Sequence, residues 1–200
     1  MERGWDDAEL VERLRAGDEA AFVTLVDRYH SPLLRLATTF VPSRAVAEEV
    51  VQDTWLAVVR GIHRFEGRSS LKTWLFRILA NRARTTGVRE RRHTPVDLEL
   101  TPAVAPERFR PDGRWVDPPV PWTDEAEDRI VARHTVELIT GHLDELPEAQ
   151  RQVLVLRDFE QLPASEVCEL LGLTEANQRV LLHRGRSRIR SLLETELGKG

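Results

Sequence analysis

Apolar residues recur at helical spacing throughout the N-terminal half of the chain. One run lies between residues 22 and 40 and a second between residues 47 and 62, with apolar positions at i, i+3, i+4 and i+7. Asp6, Asp18, Ser43 and Ser70 each precede such a run, in the position where a short polar side chain caps a helix. The pattern predicts four helices, of which the third covers about residues 44–62 and the fourth begins after residue 70.

The same spacing predicts which side chains form the core. In the second helix they are Phe22, Leu25, Val26, Tyr29, Leu33, Leu36, Ala37 and Phe40. In the third they are Ala47, Val51, Trp55, Val58 and Ile62, and in the fourth Leu71, Trp74, Leu75, Ile78 and Leu79.

The helical pattern stops at residues 94–125, which contain seven of the eleven prolines. This segment also has seven acidic and three basic residues, and it is interpreted as an acidic, flexible, Pro-rich linker. Helical spacing resumes near residue 125 and includes a short helix at 164–171, a turn at Gly172 and a last helix at about 175–193, capped by Thr174. The predicted fold class is all-α, with a four-helix N-terminal domain (1–93), the linker (94–125) and a helix-turn-helix C-terminal domain (126–200).

Charge is distributed in blocks along the 200 residues. The net charge is −4, but residues 67–93 carry +7 and residues 175–200 carry +3, while residues 1–66 and 94–174 carry −4 and −10. Because the local field decides where a polyanion binds, two basic blocks in an acidic chain are compatible with DNA binding.

Composition argues against several other classes of protein. Cys168 is the sole cysteine, and the six histidines lack metal-binding spacing, so neither a disulfide nor a metal site is expected. No nucleophile–base pair or phosphate-binding loop is found, which predicts a protein without catalytic residues or cofactors. A polar N-terminus and the lack of a long apolar run predict a cytoplasmic protein without membrane insertion.

The C-terminal pattern of a short helix, a glycine turn and a basic helix favours duplex DNA. Residues 175–193 contain five arginines and one acidic residue, Glu175. In helix-turn-helix proteins the second helix enters the major groove, and arginine contacts phosphates or guanine edges. The alternative is a solvated basic helix in a small bundle.

A second block combines aromatic and basic residues. Phe65, Trp74 and Phe76 lie among arginines and a lysine, a combination that suits unstacked bases of single-stranded DNA. Asn81 shares a helix face with Arg77 and Arg84, and its amide could pair with an exposed base edge. Alternatively, Trp74 belongs to the core, which is the favoured interpretation for that residue alone.

A second face of the third helix mixes acidic and apolar side chains opposite the core. Such a face is typical of a partner surface, although an ordinary solvated face explains it equally well. Its residues are Glu49, Gln52, Asp53, Leu56 and Val59.

Four segments, in order, resemble the extracytoplasmic-function (ECF) sigma factors of bacterial RNA polymerase. They read RLRAGDEAAFVTLVDRY, AEEVVQDTWLAVVR, FEGRSSLKTWLFRILANRAR and LPEAQRQVLVLRDFEQLPASEVCELLGL. The resemblance implies a sigma factor that binds core polymerase at the β′ clamp and the β flap. It also implies recognition of duplex promoter DNA at the minus-thirty-five element, capture of the melted non-template strand at the minus-ten element, and an anti-sigma factor as a further partner.

The resemblance implies a role for individual residues of this chain. The five residues on the second face of the third helix, opposite its predicted core, would bind core polymerase. The minus-ten set would be Phe65, Gly67, Arg68, Ser69, Ser70, Lys72, Arg77, Asn81 and Arg84. The minus-thirty-five set would be Arg157, Asn177, Arg179, His183 and Arg184.

The segment TEANQRVLLHRGR departs from the family pattern. Gln178 replaces an apolar core residue, and Val180 and Leu181 replace polar or basic ones. Either the helix is rotated slightly, or these apolar side chains contact thymine methyls or protein. The alternatives to a sigma factor are a helix-turn-helix response regulator without sigma activity, a protein that sequesters a regulator without contacting DNA and, more remotely, an enzyme.

Overall fold

A computed structural model describes residues 5–91 and 139–197. The predicted linker at 94–125 lies outside these residues. Within them the chain forms α-helices joined by turns and short 3₁₀ or π-helical segments, and it forms no strand. The all-α fold class predicted from the hydrophobic spacing is confirmed.

The N-terminal helices begin where the capping residues predict. They are α1 (Asp7–Arg15), α2 (Glu19–Ala37), α3 (Arg44–Gly61) and α4 (Leu71–Arg91), with a 3₁₀ turn at Ile62–Arg64. The Asp6 carboxylate accepts the backbone N–H of Glu9 at 2.8 Å. Ser43 and Ser70 hydroxyls accept the N–H groups of Val46 and Thr73. Each cap satisfies a donor that the first helical turn would leave free.

Asp18 caps α2 and also forms an ion pair with Arg13. Its carboxylate accepts the N–H groups of Ala20 and Ala21 and lies 3.2 Å from a guanidinium nitrogen of Arg13. The Ala21 N–H, followed by Arg13, lowers the pKa of this carboxyl below its ordinary value. The charged form of the cap therefore persists into the acid range.

The predicted core is largely correct. All five core residues predicted for the third helix are buried, although Ile62 lies in the 3₁₀ turn just after it. In the run from residue 22 to 40, Phe22 and Val26 are half-buried, and the buried residues are Leu25, Tyr29, Leu33, Leu36, Ala37 and Phe40. In α4 the prediction needs correction, because Trp74 and Ile78 are half-buried while Phe76, Ala80 and Ala83 are buried. The buried face of α4 therefore extends to a side that the predicted stripe left out.

The C-terminal described residues form shorter elements. After helical residues 139–142 come a 3₁₀ turn (Leu143–Glu145), α5 (Glu148–Leu154), a π-helical turn (Val155–Phe159), α6 (Ala164–Leu171) and α7 (Glu175–Leu197). The bounds of α6 match the prediction, and α7 is longer than predicted. Gly172 closes α6 with φ +68°, the left-handed conformation that glycine adopts at least cost.

Contacts divide the chain into two compact units that interleave along the sequence. Among the described residues, one comprises residues 5–91 with 155–174, and the other residues 139–154 with 175–197. In the first unit, α6 packs on α4 and the π-helical turn packs on α2. In the second, α5 packs on α7. The predicted domain boundaries, 1–93, 94–125 and 126–200, stay a prediction.

The buried residues of α7 show which side of this helix faces the core. Gln178, Leu182, Gly185 and Ile189 are buried at i, i+4, i+7 and i+11, whereas Val180 is exposed. Position 178 thus faces the core, as the family pattern requires, although it carries an amide. Among the described residues, the Gln178 Nε2 group has no hydrogen-bond partner.

Replacing Gln178 with leucine should therefore stabilise the protein. The substitution removes a buried donor that has no partner among the described residues, whose desolvation costs about 1–3 kcal/mol, and it supplies apolar surface to the stripe. Urea unfolding followed by circular dichroism would measure the gain. Gln178→Glu is the matched control and should lower the free energy of unfolding, since it places a charge at the same site. A leucine variant less stable than wild type would show that the amide is satisfied in solution.

Candidate partner and nucleic-acid interfaces

One side of α3 is fully exposed while the opposite side forms core. Glu49, Gln52, Asp53, Leu56 and Val59 are all exposed, and their spacing places them on one helix face. Leu56 and Val59 are 55% and 54% exposed, unusually high for large apolar side chains. Asp53 lies 3.6 Å from Arg82 but keeps most of its surface in solvent. The structure thus brings together all five residues predicted for core polymerase.

This exposed face continues into an apolar groove between α2 and α3. The groove has a volume of about 410 Å³, and its lining includes Phe22, Val23, Val58, Val59 and Ile62. Val23 is 57% exposed. The sequence analysis did not identify Val23, because the spacing of α2 was read only for its core. The groove extends the apolar part of the face onto a second helix.

The loop between the 3₁₀ turn and α4 combines a buried anchor with exposed polar groups. The Phe65 ring is buried and lies 5.1 Å from the Trp74 ring, centroid to centroid. Gly67 has φ +69°, which favours glycine and turns the chain toward Ser70. Arg68 is exposed and pairs with Glu66. The loop that was predicted to capture a base is therefore held at one end by an aromatic pair and at the other by the cap of α4.

Helix α1 also contacts this loop, which the sequence analysis missed. An Arg15 guanidinium nitrogen donates to the Phe65 carbonyl, and another lies 2.6 Å from the Glu12 carboxylate. A groove of about 360 Å³ lies between α1 and the loop, with Gly67, Ser69 and Ser70 in its lining. No local sequence signal predicts this contact, since Arg15 and Phe65 lie 50 residues apart.

The aromatic part of the basic-aromatic block is mostly core. Phe76 is fully buried and Phe65 is 8% exposed. A base therefore cannot stack on Phe76, and the prediction that the aromatic residues of this block bind unstacked bases is wrong for Phe76. Trp74 is half-buried. Asn81 is exposed on α4 between Arg77 and Arg84, as the spacing predicts. The polar face of the block is therefore more accessible to a nucleic acid than Phe65 and Phe76 are.

The cations of this face are engaged by residues 159–170 of the same compact unit. Lys72 and Arg77 form ion pairs with Glu160 and Glu169, and Arg84 donates to the Leu170 carbonyl. These three cations belong to the predicted minus-ten set. Their partners lie more than 85 residues away in the sequence, so helical spacing could not have shown the contacts.

The exposed side of α7 carries most of the predicted minus-thirty-five set. Asn177, Arg179, His183 and Arg184 are exposed, and Val180 lies among them at 44% exposure. Arg179 lies 3.2 Å from Glu175, four residues earlier. The fifth residue, Arg157, lies in the π-helical turn, is half-buried and donates to the Leu162 carbonyl. The structure thus collects four of the five on one helix and engages Arg157 in a local backbone contact.

The described part of the chain contains neither a metal-type cluster nor a helix of membrane-spanning character. In residues 5–91 and 139–197, no three His, Cys, Asp or Glu side chains converge as a metal site would require. None of the described helices is both long and apolar enough to span a membrane.

Two family models match the chain, and they match in the order that the sequence analysis expected. Residues 25–93 match sigma-70 region 2 and residues 137–189 match sigma-70 region 4. The RNA polymerase sigma-H factor of Pseudomonas aeruginosa is 31% identical over 189 residues, 94% of each chain. The ECF RNA polymerase sigma-E factor of Escherichia coli K12 is 29% identical over 184 residues, 92% of each chain.

Solved structures agree on the fold. CnrH, solved with the cytosolic domain of CnrY, has a TM-score of 0.57 at 24% identity, with 94% of this chain and 97% of the matched chain covered. The sigma factor RpoE of Bartonella quintana, solved with the anti-sigma factor NepR, has a TM-score of 0.53 at 21% identity, with 85% and 96% covered. The region 2 match disfavours a response regulator, whose N-terminal part would be a signal domain. The chain therefore belongs to the extracytoplasmic-function sigma factors of the sigma-70 family, which act in transcription initiation.

Proposed function

We propose that α3 binds core RNA polymerase through its exposed face and so recruits the enzyme to promoters. The observation that carries this proposal is the clustering of Leu56 and Val59, both more than half exposed, with three polar residues on one face. Apolar anchors surrounded by polar side chains are typical of protein interfaces. The β′ clamp is the proposed partner of this face, and the β flap that of the region 4 match.

We further propose that the loop at residues 65–70 and the exposed side of α4 bind the melted minus-ten element. The groove beside the loop offers a place for an unpaired base, and Asn81 offers an amide that can donate to and accept from a base edge. Lys72, Arg77 and Arg84 provide cations that can bind the phosphates of the DNA strand. Binding energy from a captured base would offset the few kcal/mol that unstacking costs.

The exposed side of α7 is proposed to read the minus-thirty-five element as duplex DNA. Arg184→Ala should lower the affinity for a promoter fragment. A bidentate contact to guanine would cost about 1–3 kcal/mol and relax one base position, whereas a phosphate contact would weaken all sequences alike and lower the salt dependence. Fluorescence anisotropy at several salt concentrations distinguishes these two cases. Unchanged affinity and salt dependence would remove Arg184 from the interface.

Reconstituted transcription tests the proposal as a whole. Core polymerase is incubated with genomic fragments, nucleotides and this chain, and transcript starts are mapped. Start-site-specific transcripts should appear only when the chain is present. A chain that binds DNA but gives no such transcripts with core polymerase would be a regulator of another kind.

We propose that the protein acts in the cytoplasm by binding alone, without covalent chemistry of its own. An anti-sigma factor, the kind of partner with which Bartonella quintana RpoE was solved, is proposed as its regulator. Co-purification of the tagged chain from its own cells, with and without inducing stress, would test for such a partner.

A further inference from the structure

The packing of one side of α7 decides which side is open to a partner. Gln178 and Ile189 are buried on the packed side. Gly185 lies between them, and a Cβ atom built there would lie 3.4 Å from side-chain atoms of both Leu146 and Leu154. The residues on either side of this glycine are arginines, so a rotated helix would press a charged side chain into the same close contact. Rotation of α7 therefore does not explain why this segment departs from the family pattern.

Val180 lies on the open side of this helix. It is 44% exposed, whereas Leu181, the other unusual apolar residue, is half-buried. Asn177 and Arg184, one turn before and one turn after Val180, are exposed on the same face. A β-branched side chain in a helix keeps essentially one χ1 rotamer, so the two methyl groups of the valine are held in a fixed place. Val180 is therefore a rigid apolar contact point between an amide and a guanidinium.

The charge around Val180 favours DNA over a protein as its partner. Residues 175–193 contain five arginines and one acidic residue, and the side chain of Arg179, next to Val180, is 77% exposed. Arginines in this number can bind phosphates on both sides of the major groove. The N-terminal part of a recognition helix meets base edges, and thymine alone among the four bases presents an apolar group there, its 5-methyl group. An exposed valine at this point of a basic helix therefore matches a thymine.

We infer that Val180 recognises one thymine of the duplex promoter element through van der Waals contact with its 5-methyl group. This inference rests on the proposed function of α7 and names a base feature that the arginines cannot select. Guanidinium groups donate hydrogen bonds to guanine or to phosphate and gain nothing from a methyl group. Contact between the valine and the methyl group removes apolar surface of both from water, and so it favours thymine over each base that lacks this group.

Selection from two duplex libraries tests the contact with the methyl group itself. Each library is randomised over about twelve base pairs, a little more than one helical turn, and the second contains uracil in place of thymine. Uracil keeps the hydrogen-bonding groups of thymine and lacks only the 5-methyl group. The full chain bound to core polymerase selects the duplexes, which are then sequenced. At one position, the preference for thymine should be roughly three- to fivefold stronger than the preference for uracil.

Serine and threonine at position 180 isolate the methyl group on the protein. Val180→Ser removes both methyl groups, and the thymine and uracil libraries should then give equal preference at that position. Val180→Thr restores one methyl group beside the same hydroxyl, so part of the difference should return. Thr195→Ser is the matched control, because it removes a methyl group from an exposed position of the same helix, about 22 Å further along the axis. This control should behave as wild type.

The outcomes separate this inference from the function on which it rests. A thymine preference that weakens with uracil and with Val180→Ser, but not with Thr195→Ser, supports the methyl contact. An enriched motif with equal preference for thymine and uracil in the wild-type chain would overturn it and leave duplex reading by α7 in place. If Val180→Ser keeps the thymine preference but binds core polymerase more weakly, Val180 contacts protein and the inference is wrong. If neither library yields a motif and Arg184→Ala changes nothing, duplex reading by α7 fails, and the methyl contact fails with it.

Discussion

Replacing Leu56 and Val59 together with glutamate should reduce affinity for core RNA polymerase by about thirtyfold or more. Each apolar anchor of an interface contributes on the order of 1–2 kcal/mol, and a carboxylate in its place would also be buried without a partner. Both side chains are more than half exposed in the free protein, so the fold should tolerate the change with little loss of stability.

The matched control is His30→Glu/Ser31→Glu, which adds two carboxylates at exposed positions of α2 that belong to no proposed interface. Titration of core polymerase with fluorescently labelled variants gives the affinities, and thermal unfolding confirms the fold. The control should bind core polymerase as wild type does. If the α3 double variant also binds with wild-type affinity, the exposed face is not the contact, and the groove at Val23 becomes the next surface to test.

The helix starts could be predicted from sequence because capping is a local interaction. Asp6, Asp18, Ser43 and Ser70 each bond an N–H within the next three residues, so the residue type and its position are sufficient. The exposed face of α3 was equally predictable. Its core side is strongly apolar, and a helix that buries one side exposes the residues opposite.

The turn at residues 155–161 could not be predicted, since non-local contacts hold it. The Glu160 N–H bonds the Val155 carbonyl five residues earlier, and Gln161 adopts φ +54°, which is uncommon outside glycine. This geometry directs Glu160 between two cations that lie about 90 and 125 residues away. A pattern of apolar spacing contains no information about such partners.

The basic-aromatic block contains residues with two different roles, since some form the core and others face solvent. Phe76 and Phe65 are core residues, while the cations and Asn81 on the same helix and loop are at least partly exposed. Sequence spacing placed Asn81 correctly between Arg77 and Arg84. It could not separate a ring that packs inward from one that stacks on a base, because both uses require the same residue type.

Asn81→Ala should abolish or strongly reduce promoter opening while leaving the fold and core polymerase binding intact. Asn81 is exposed, and alanine is the better helix former by a few tenths of a kcal/mol, so a purely structural role predicts a neutral or slightly stabilising change. A role in reading an unpaired base predicts loss of opening, because the captured base no longer offsets the cost of unstacking. Permanganate reactivity of melted thymines reports the opening directly.

A promoter that is already mismatched across the minus-ten element separates reading from opening. On this heteroduplex the cost of melting has been removed, so Asn81→Ala should regain transcription. It should not regain discrimination, because the amide that pairs with one base edge is still missing, and substitution of that base in the non-template strand should now have little effect. Asn81→Asp is the informative companion, since it keeps the acceptor and loses the donor of the amide. Opening and base preference equal to wild type in Asn81→Ala would exclude this residue and leave the loop from Phe65 to Ser70 as the reader of the captured base.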